Sequence, residues 1–299
     1  MPALDARVKT ALDETRLLIL GAQILFGFHL NGAFQNAFGE LDAASRRLHA
    51  TAFFLMAITI GLLIAPSMQH RIVERGQASR RILGVATVSA GMALIPFALS
   101  LGIDLFVVIG HRFGAGLGVT AGASFSVLAL VLWFGTAWRR QTSQVERPMK
   151  EAPTSLDVRV EQMLTEARVM LPGAQALLGF QLAILLTQGF EGLSEISKIV
   201  HTFALCCVAL TVILLMTPAS IHRIGYGGEN TERFLRVGSR LVIAAAIPLA
   251  AGIGGDIYVA VSKALNWPQA GTLVAIATAA LLAGMWIIYP FWLRRTQSG

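Results

Sequence analysis

The feature that most constrains this chain is an internal repeat, because the second half matches the first when it is shifted by 152 positions. The register runs without a gap for about a hundred residues. It pairs polar residues and prolines as well as apolar ones: His49 meets His201, and Pro66 meets Pro218. Chance does not hold one register through so many matches. The chain is therefore a tandem duplication of one folding unit.

Each half contains four apolar runs long enough to cross a bilayer as helices. Only 14% of the residues are charged, whereas a soluble protein of this size carries about a quarter. The runs are 17–34, 50–68, 82–109 and 114–138, then 169–186, 199–217, 241–261 and 270–292. The sequence therefore predicts an all-α, polytopic membrane helix bundle. Six spans is the alternative, if the short first run of each half lies shallow.

These runs divide the chain into a first repeat at residues 1–138, a cytoplasmic linker at 139–155 and a second repeat at 156–299. Four spans is an even number, so both copies should insert with the same orientation. We therefore expect a pseudo-twofold axis along the membrane normal, unlike the relation between inverted repeats.

Positive charge predicts which side of the bilayer faces the cytoplasm. Lysine and arginine concentrate in the segments that share a side with both termini, and cytoplasmic loops are enriched in these residues. The loop between the second and third spans alone holds Arg71, Arg75, Arg80 and Arg81. Both termini should therefore be cytoplasmic.

A short apolar stripe precedes the first span of each half. Leu4, Val8 and Leu12 fall four residues apart, which is typical of one face of a helix, and Leu156, Val160 and Leu164 repeat the pattern. We predict amphipathic helices that lie along the cytoplasmic membrane interface. A helix that packs against the loops is the alternative.

Several segments of the first half resemble a bacterial four-helix membrane domain family of unknown function. The resemblance rests on 14–16, 21–28, Phe34, Phe38 and the combination of Ala65–Pro66 with His70–Arg71. The second copy departs from the pattern, with Thr217 at the position of Ala65 and Pro172 directly before its Gly-Ala-Gln segment. The resemblance implies a bacterial plasma membrane and a dimeric ancestor, but no activity.

Asp104 and Asp256 lie near the outer end of the third span of each repeat, flanked by apolar residues. A carboxylate close to hydrocarbon is costly unless it is paired, so both are candidates for a functional site. His49 and His201 fall at the same depth. The alternative is a structural ion pair of each aspartate with Arg46, Arg47 or His49.

Two further groups of polar residues recur in both repeats. Gln23 and Gln175 lie about two turns into the first spans, where they either line a polar path or bond a neighbouring helix. The second group belongs to the cytoplasmic interface and comprises Glu14, Arg16, His70, Arg71, Glu166, Arg168, His222 and Arg223.

Glycines at every fourth position form a small-residue ridge that begins just before the fourth span and continues into it. They are Gly110, Gly114, Gly118 and Gly122. Such ridges let helix backbones approach closely. We predict close helix packing there, with a second copy of the chain or a subunit of a membrane complex as the partner.

The leading functional hypothesis is a translocator of a small solute or ion, with its path along the interface between the repeats. One alternative is a non-catalytic structural or accessory subunit of a larger complex. Another is a redox module with haem held by a matched histidine pair. We expect no other cofactor and no enzyme, because the sequence has no nucleophile elbow, HExxH motif or P-loop. The lipid bilayer is the expected partner and nucleic acid is not, since no basic stripe with interleaved aromatics occurs.

Overall fold

The computed structural model describes residues 4–135 and 153–297, and most of the linker predicted at 139–155 lies outside these ranges. In the described ranges the chain folds into α-helices and short helical turns. The helices are α1 (Leu4–Gly32), α2 (Ala43–Ile72), α3 (Arg80–Phe113), α4 (Ala115–Leu130), α5 (Leu156–Ile184), α6 (Glu195–Ser220), α7 (Glu232–Leu265), α8 (Pro268–Ala283) and α9 (Tyr289–Gln297). A π-helical turn extends α4 and α6 and joins α8 to α9.

The two repeats fold alike because the sequence places the same stop and start signals in both. After α2, Gly76 has a φ of +82° and its N–H donates to the carbonyl of His70. The equivalent Gly228 has a φ of +88° and donates to the carbonyl of His222. Side-chain caps then start the next helices, α3 with Ser79 and α7 with a threonine.

Within the described residues, seven helices are long and apolar enough to cross a membrane. They are α2 to α8, with α4, α6 and α8 counted together with the segments that extend them. The eighth predicted span belongs to α1, which is 29 residues long but is not among these seven. The chain is thus an all-α membrane-type bundle, with one span of the predicted eight short of that measure.

The apolar stripe at the start of α1 does not form a separate helix on the membrane surface. It is continuous with the first span, and Leu4, Val8 and Leu12 pack against Ile82 and Ala86 at the start of α3. The interfacial-helix prediction is therefore wrong for the first repeat. These leucines and the valine are instead buried against Ala78 in the loop before α3 and against α3 itself, which is closer to the alternative of packing against the loops.

The two repeats run parallel, as duplication predicts. Lys9 and Glu161 are equivalent positions and pair at 2.7 Å, near the start of α1 and α5. Phe28 and Phe180 are also equivalent, and their rings lie 4.7 Å apart near the other end. Both helices therefore run in the same direction at the same depth. We call the end of the bundle at which α1 and α5 begin the terminal face, and the opposite end the distal face.

The interface between the repeats departs from the predicted twofold. In the equivalent helices α2 and α6, 61% and 28% of the most apolar membrane-length stretch is buried, whereas a twofold axis would bury both stretches equally. The pair α3 and α7 shows the reverse, with 33% and 61%. The cause is that α2 packs against α7 and α8, while α3 and α6 make no comparable contact across the described residues.

One hydrogen bond marks this asymmetric contact. Trp286, in the π-helical turn before α9, is fully buried, and its indole N–H donates to the carbonyl of Gly61 at 2.9 Å. We expect Trp286→Phe to lower the free energy of unfolding by about 1 kcal/mol, because one buried donor is lost and the ring still packs. Thermal unfolding in detergent measures this. Trp292→Phe is the control, since Trp292 is 58% exposed, and an equal loss in both variants would contradict the prediction.

Candidate functional site

The first repeat gathers two histidines and a carboxylate close to its distal face. Asp104 on α3 lies 2.9 Å from Nε2 of His29 on α1. His49 on α2 donates through Nε2 to the main-chain carbonyl of His29 at 3.0 Å. The hydroxyl of Ser100 lies 3.5 Å from the same Nε2 of His29 and itself donates to a carbonyl of α2. Three helices of one repeat therefore build this cluster.

The hydrogen bonds around His29 define where its proton lies. Its Nδ1 is 2.8 Å from the carbonyl of Leu25, an acceptor, so Nδ1 is assigned as a donor. With Nδ1 as a donor, the contact between Nε2 and Asp104 can hold one further proton between the imidazole and the carboxyl group. We call these two residues the His29–Asp104 pair.

This pair forms part of the wall of an open cavity of about 580 Å³, the distal cavity. The side chain of Asp104 is 32% exposed, whereas that of His29 is only 4% exposed. Arg112 also lines the cavity and is exposed. Gln35, His49 and His111 are its other polar side chains, and the remaining wall is apolar, with Leu25, Phe28, Phe38, Leu41, Val107 and Val108. The carboxylate is thus within reach of a molecule that enters the cavity.

The second repeat has an equivalent cluster that is closed. Gln181 replaces His29, and its amide nitrogen donates to both oxygens of Asp256 at 2.9 Å. His201 donates to the carbonyl of Gln181 at 3.0 Å, as His49 does to that of His29. Gln181, His201 and Asp256 are all fully buried. This copy has a glutamine in place of the histidine and lacks the access of the first.

The sequence predicted Asp104, Asp256, His49 and His201, but missed His29 and Gln181. The alternative, an ion pair of Asp104 with Arg46, Arg47 or His49, is not formed among the described residues, since His29 is the partner. The repeat could have indicated these two positions, because residue 29 and its equivalent 181 are both polar inside an apolar run. The matched histidines do not pair with each other, since each bonds within its own repeat.

On the terminal side, four of the residues predicted for the cytoplasmic interface meet in a buried ion cluster. Glu166 of α5 accepts from Arg16 at 3.0 Å, from His70 at 3.2 Å and from Nε of Arg71. The exposed fraction of these four residues is 4% or less. Arg16 also pairs with Asp13. Three members come from the first repeat and one from the second, so this Glu166 cluster ties the repeats together.

The duplicated residues do not build a second cluster. Glu14, Arg168 and Arg223, which are equivalent to Glu166, Arg16 and Arg71, are exposed. His222 instead lies 3.2 Å from the side chain of Asn230. The same residue types therefore serve different roles in the two copies, because the repeats meet asymmetrically.

The two predicted glutamines also differ in burial. Gln23 is buried against Gly173 of the second repeat, and neither atom of its amide has a hydrogen-bond partner among the described residues. Gln175 is exposed. The six residues proposed for a path between the repeats therefore fall into two clusters inside the repeats and two separate glutamines, and they do not line one route.

The glycine ridge packs inside the first repeat. A Cβ on Gly118 would lie 2.7 Å from Cα of Gly110, and one on Gly122 would lie 2.4 Å from the carbonyl oxygen of Gly102. Gly114 forms the turn between α3 and α4 with a φ of +96°. The ridge thus packs α4 against α3 within the first repeat. These glycines do not form the surface for another chain that the sequence predicted.

A family model matches the chain twice, over residues 3–137 and 150–290, and describes a family of unknown function, DUF6328. The two matches correspond to the two repeats. No curated protein and no solved structure matches the chain.

Proposed function

Because the chain belongs to the DUF6328 family, whose function is unknown, we propose a role from its site alone: the distal cavity binds a small organic cation and releases a proton in exchange. The observation that carries the proposal is the His29–Asp104 pair in the wall of an open, largely apolar cavity. This makes the translocator hypothesis more specific, because it supplies a loading site. The site lies inside the first repeat instead of between the repeats.

The cavity matches the two parts of such a ligand. Its apolar and aromatic walls favour a hydrophobic body, and aromatic rings such as Phe28 and Phe38 also attract cations. Asp104 supplies the negative charge. The positive charge of Arg112 is exposed, where water and salt screen it.

Exchange follows from the charge of the pair. While His29 and Asp104 share one proton, the carboxylate is neutralised from within the protein. A cation that reaches Asp104 replaces that positive charge, so the shared proton leaves to solvent and the site stays neutral. Since cation and proton compete for one carboxylate, the affinity for the cation rises with pH.

The second repeat supports this reading by contrast. Gln181 cannot take up a proton as His29 can, and Asp256 is fully buried. Duplication followed by divergence has left one open and one sealed version of the same cluster. We therefore assign binding to the first repeat and a structural role to the second.

The proposed setting is the bacterial plasma membrane with both termini in the cytoplasm. Its support is the excess of arginine on the terminal face, which cytoplasmic loops favour. The distal cavity would then open toward the outer side, and a cation would load from outside.

Benzyltrimethylammonium is a suitable probe, because it has an aromatic body and a fixed charge and cannot exchange protons itself. We expect it to bind detergent-solubilised protein, with about one proton released per cation and tighter binding at higher pH, whereas phenylacetate should not bind. Isothermal titration calorimetry in buffers of different ionisation enthalpy counts the protons.

Variants separate the roles of the pair. Asp104→Asn should lose binding, whereas His29→Gln, which copies the second repeat, should bind without releasing a proton. Asp256→Asn is the matched control and should bind like the unmodified protein. Binding that survives Asp104→Asn, or that releases no proton from the unmodified protein, would refute the exchange.

A further inference from the structure

A second cavity, of about 310 Å³, opens at the distal face where the two repeats meet. The first repeat contributes the turn from Ala33 to Gly39 and Arg46 at the start of α2. The second repeat contributes Gly189 and Lys263. This cavity shares Phe38 and Gln35 with the distal cavity but faces neither His29 nor Asp104.

Both charged side chains that line this cavity are cations. Nε of Arg46 is buried and has no hydrogen-bond partner among the described residues. Lys263 donates to the carbonyl of Gly189 at 2.9 Å and lies 4.9 Å from the ring centre of Phe34, and these contacts, among the described residues, include no carboxylate. The cavity therefore carries two positive charges that no acid of these ranges neutralises.

The nearest acid in sequence is already engaged. Asp42 caps α2 by accepting from the main-chain N–H and the hydroxyl of Ser45, both at 2.9 Å. These hydrogen bonds hold the pKa of Asp42 below its usual range. Its carboxylate thus serves the helix start and forms no ion pair with Arg46.

The second repeat shows what a neutralised version looks like. Lys198 is equivalent to Arg46, and it pairs with Glu195 three residues earlier at 2.9 Å. The position equivalent to Glu195 in the first repeat is Ala43. The first repeat has therefore kept the cation and lacks its acid, and the unpaired charge faces a cavity.

We infer that this cavity binds a phosphate-type oxyanion through Arg46 and Lys263. A guanidinium and an ammonium on adjoining walls are the donors that proteins use for phosphate groups. The phosphate belongs either to a lipid headgroup of the adjacent leaflet or to a soluble anion, and basic sites beside membrane helices suit both sources. The inference is independent of cation exchange in the distal cavity.

Two arms of one experiment test the site and identify the source. In the first, inorganic phosphate is titrated by calorimetry into delipidated protein in detergent, at constant ionic strength set with chloride. In the second, protein from nanodiscs of phosphatidylglycerol or of phosphatidylcholine is washed in detergent, and retained phospholipid is counted per chain. Binding in the first arm indicates a soluble anion, and retention of phosphatidylglycerol alone indicates a lipid headgroup.

Ala43→Glu is the decisive variant, because it gives Arg46 the acid that Lys198 already has, at an exposed position in the first turn of a helix. We expect this variant and Arg46→Gln to weaken phosphate or lipid binding at least about tenfold. Lys198→Gln, the matched control, should not change it. An adventitious surface effect would make all three variants alike. The inference would be overturned if all three variants behaved alike, if Ala43→Glu left binding unchanged, or if neither arm showed binding.

Discussion

Glu166→Gln is expected to destabilise the protein by about 3–5 kcal/mol, the cost of breaking a buried ion pair from one side. Glu166 is the carboxylate shared by Arg16, His70 and Arg71, and all four residues are buried. Glutamine has nearly the same shape but no charge. Arg71 would then remain buried without the carboxylate that now balances it, and Arg16 would keep its pair with Asp13.

The duplication supplies a matched control for this change. Glu14 is equivalent to Glu166, but it is exposed, so Glu14→Gln should change the free energy of unfolding by less than about 0.5 kcal/mol. Heating detergent-solubilised protein and following the folded fraction by size-exclusion chromatography compares the two. If both variants melt together, the Glu166 cluster does not hold the repeats together.

The fold could be predicted largely because its determinants are local. Apolar runs fix the number of helices, and the repeat register fixes that both halves share one topology. The first span lies within α1, which also carries the charges up to Arg16, so the predicted amphipathic segment and the span form one continuous helix. Whether Leu4 and Val8 face lipid headgroups or the start of α3 depends on tertiary packing, which a periodic pattern does not encode.

The candidate site could be predicted only in part, for a similar reason. Sequence position gives the depth of Asp104 in the bilayer, and depth correctly placed His49 beside it. Depth does not say which helix face meets which neighbour, so His29, on a different helix, was missed. The asymmetry is harder to predict: Glu14 and Glu166 occupy equivalent positions, yet Glu166 is buried among Arg16, His70 and Arg71 while Glu14 is exposed.

The glycine ridge connects this packing to the site. Gly122 approaches the backbone at Gly102, and Gly118 approaches it at Gly110, so α4 contacts α3 on either side of Asp104 along the helix. Replacing one of these glycines should therefore change both stability and the position of the carboxylate. Gly116, two residues before Gly118 on α4, provides the comparison, because no atom lies within 4 Å of where its Cβ would be.

Gly118→Leu is accordingly expected to be severe, whereas Gly116→Leu should be tolerated. Even the first carbon of the new side chain would lie 2.7 Å from Cα of Gly110 and 2.8 Å from the carbonyl oxygen of Phe106, and backbone atoms in a helix cannot move aside alone. Overpacking of this kind costs about 1–3 kcal/mol or more. Folded yield and thermal unfolding measure the difference, and cation binding by the surviving fraction reports on Asp104. Equal yield, stability and binding in the two variants would show that the close contact between α3 and α4 is dispensable.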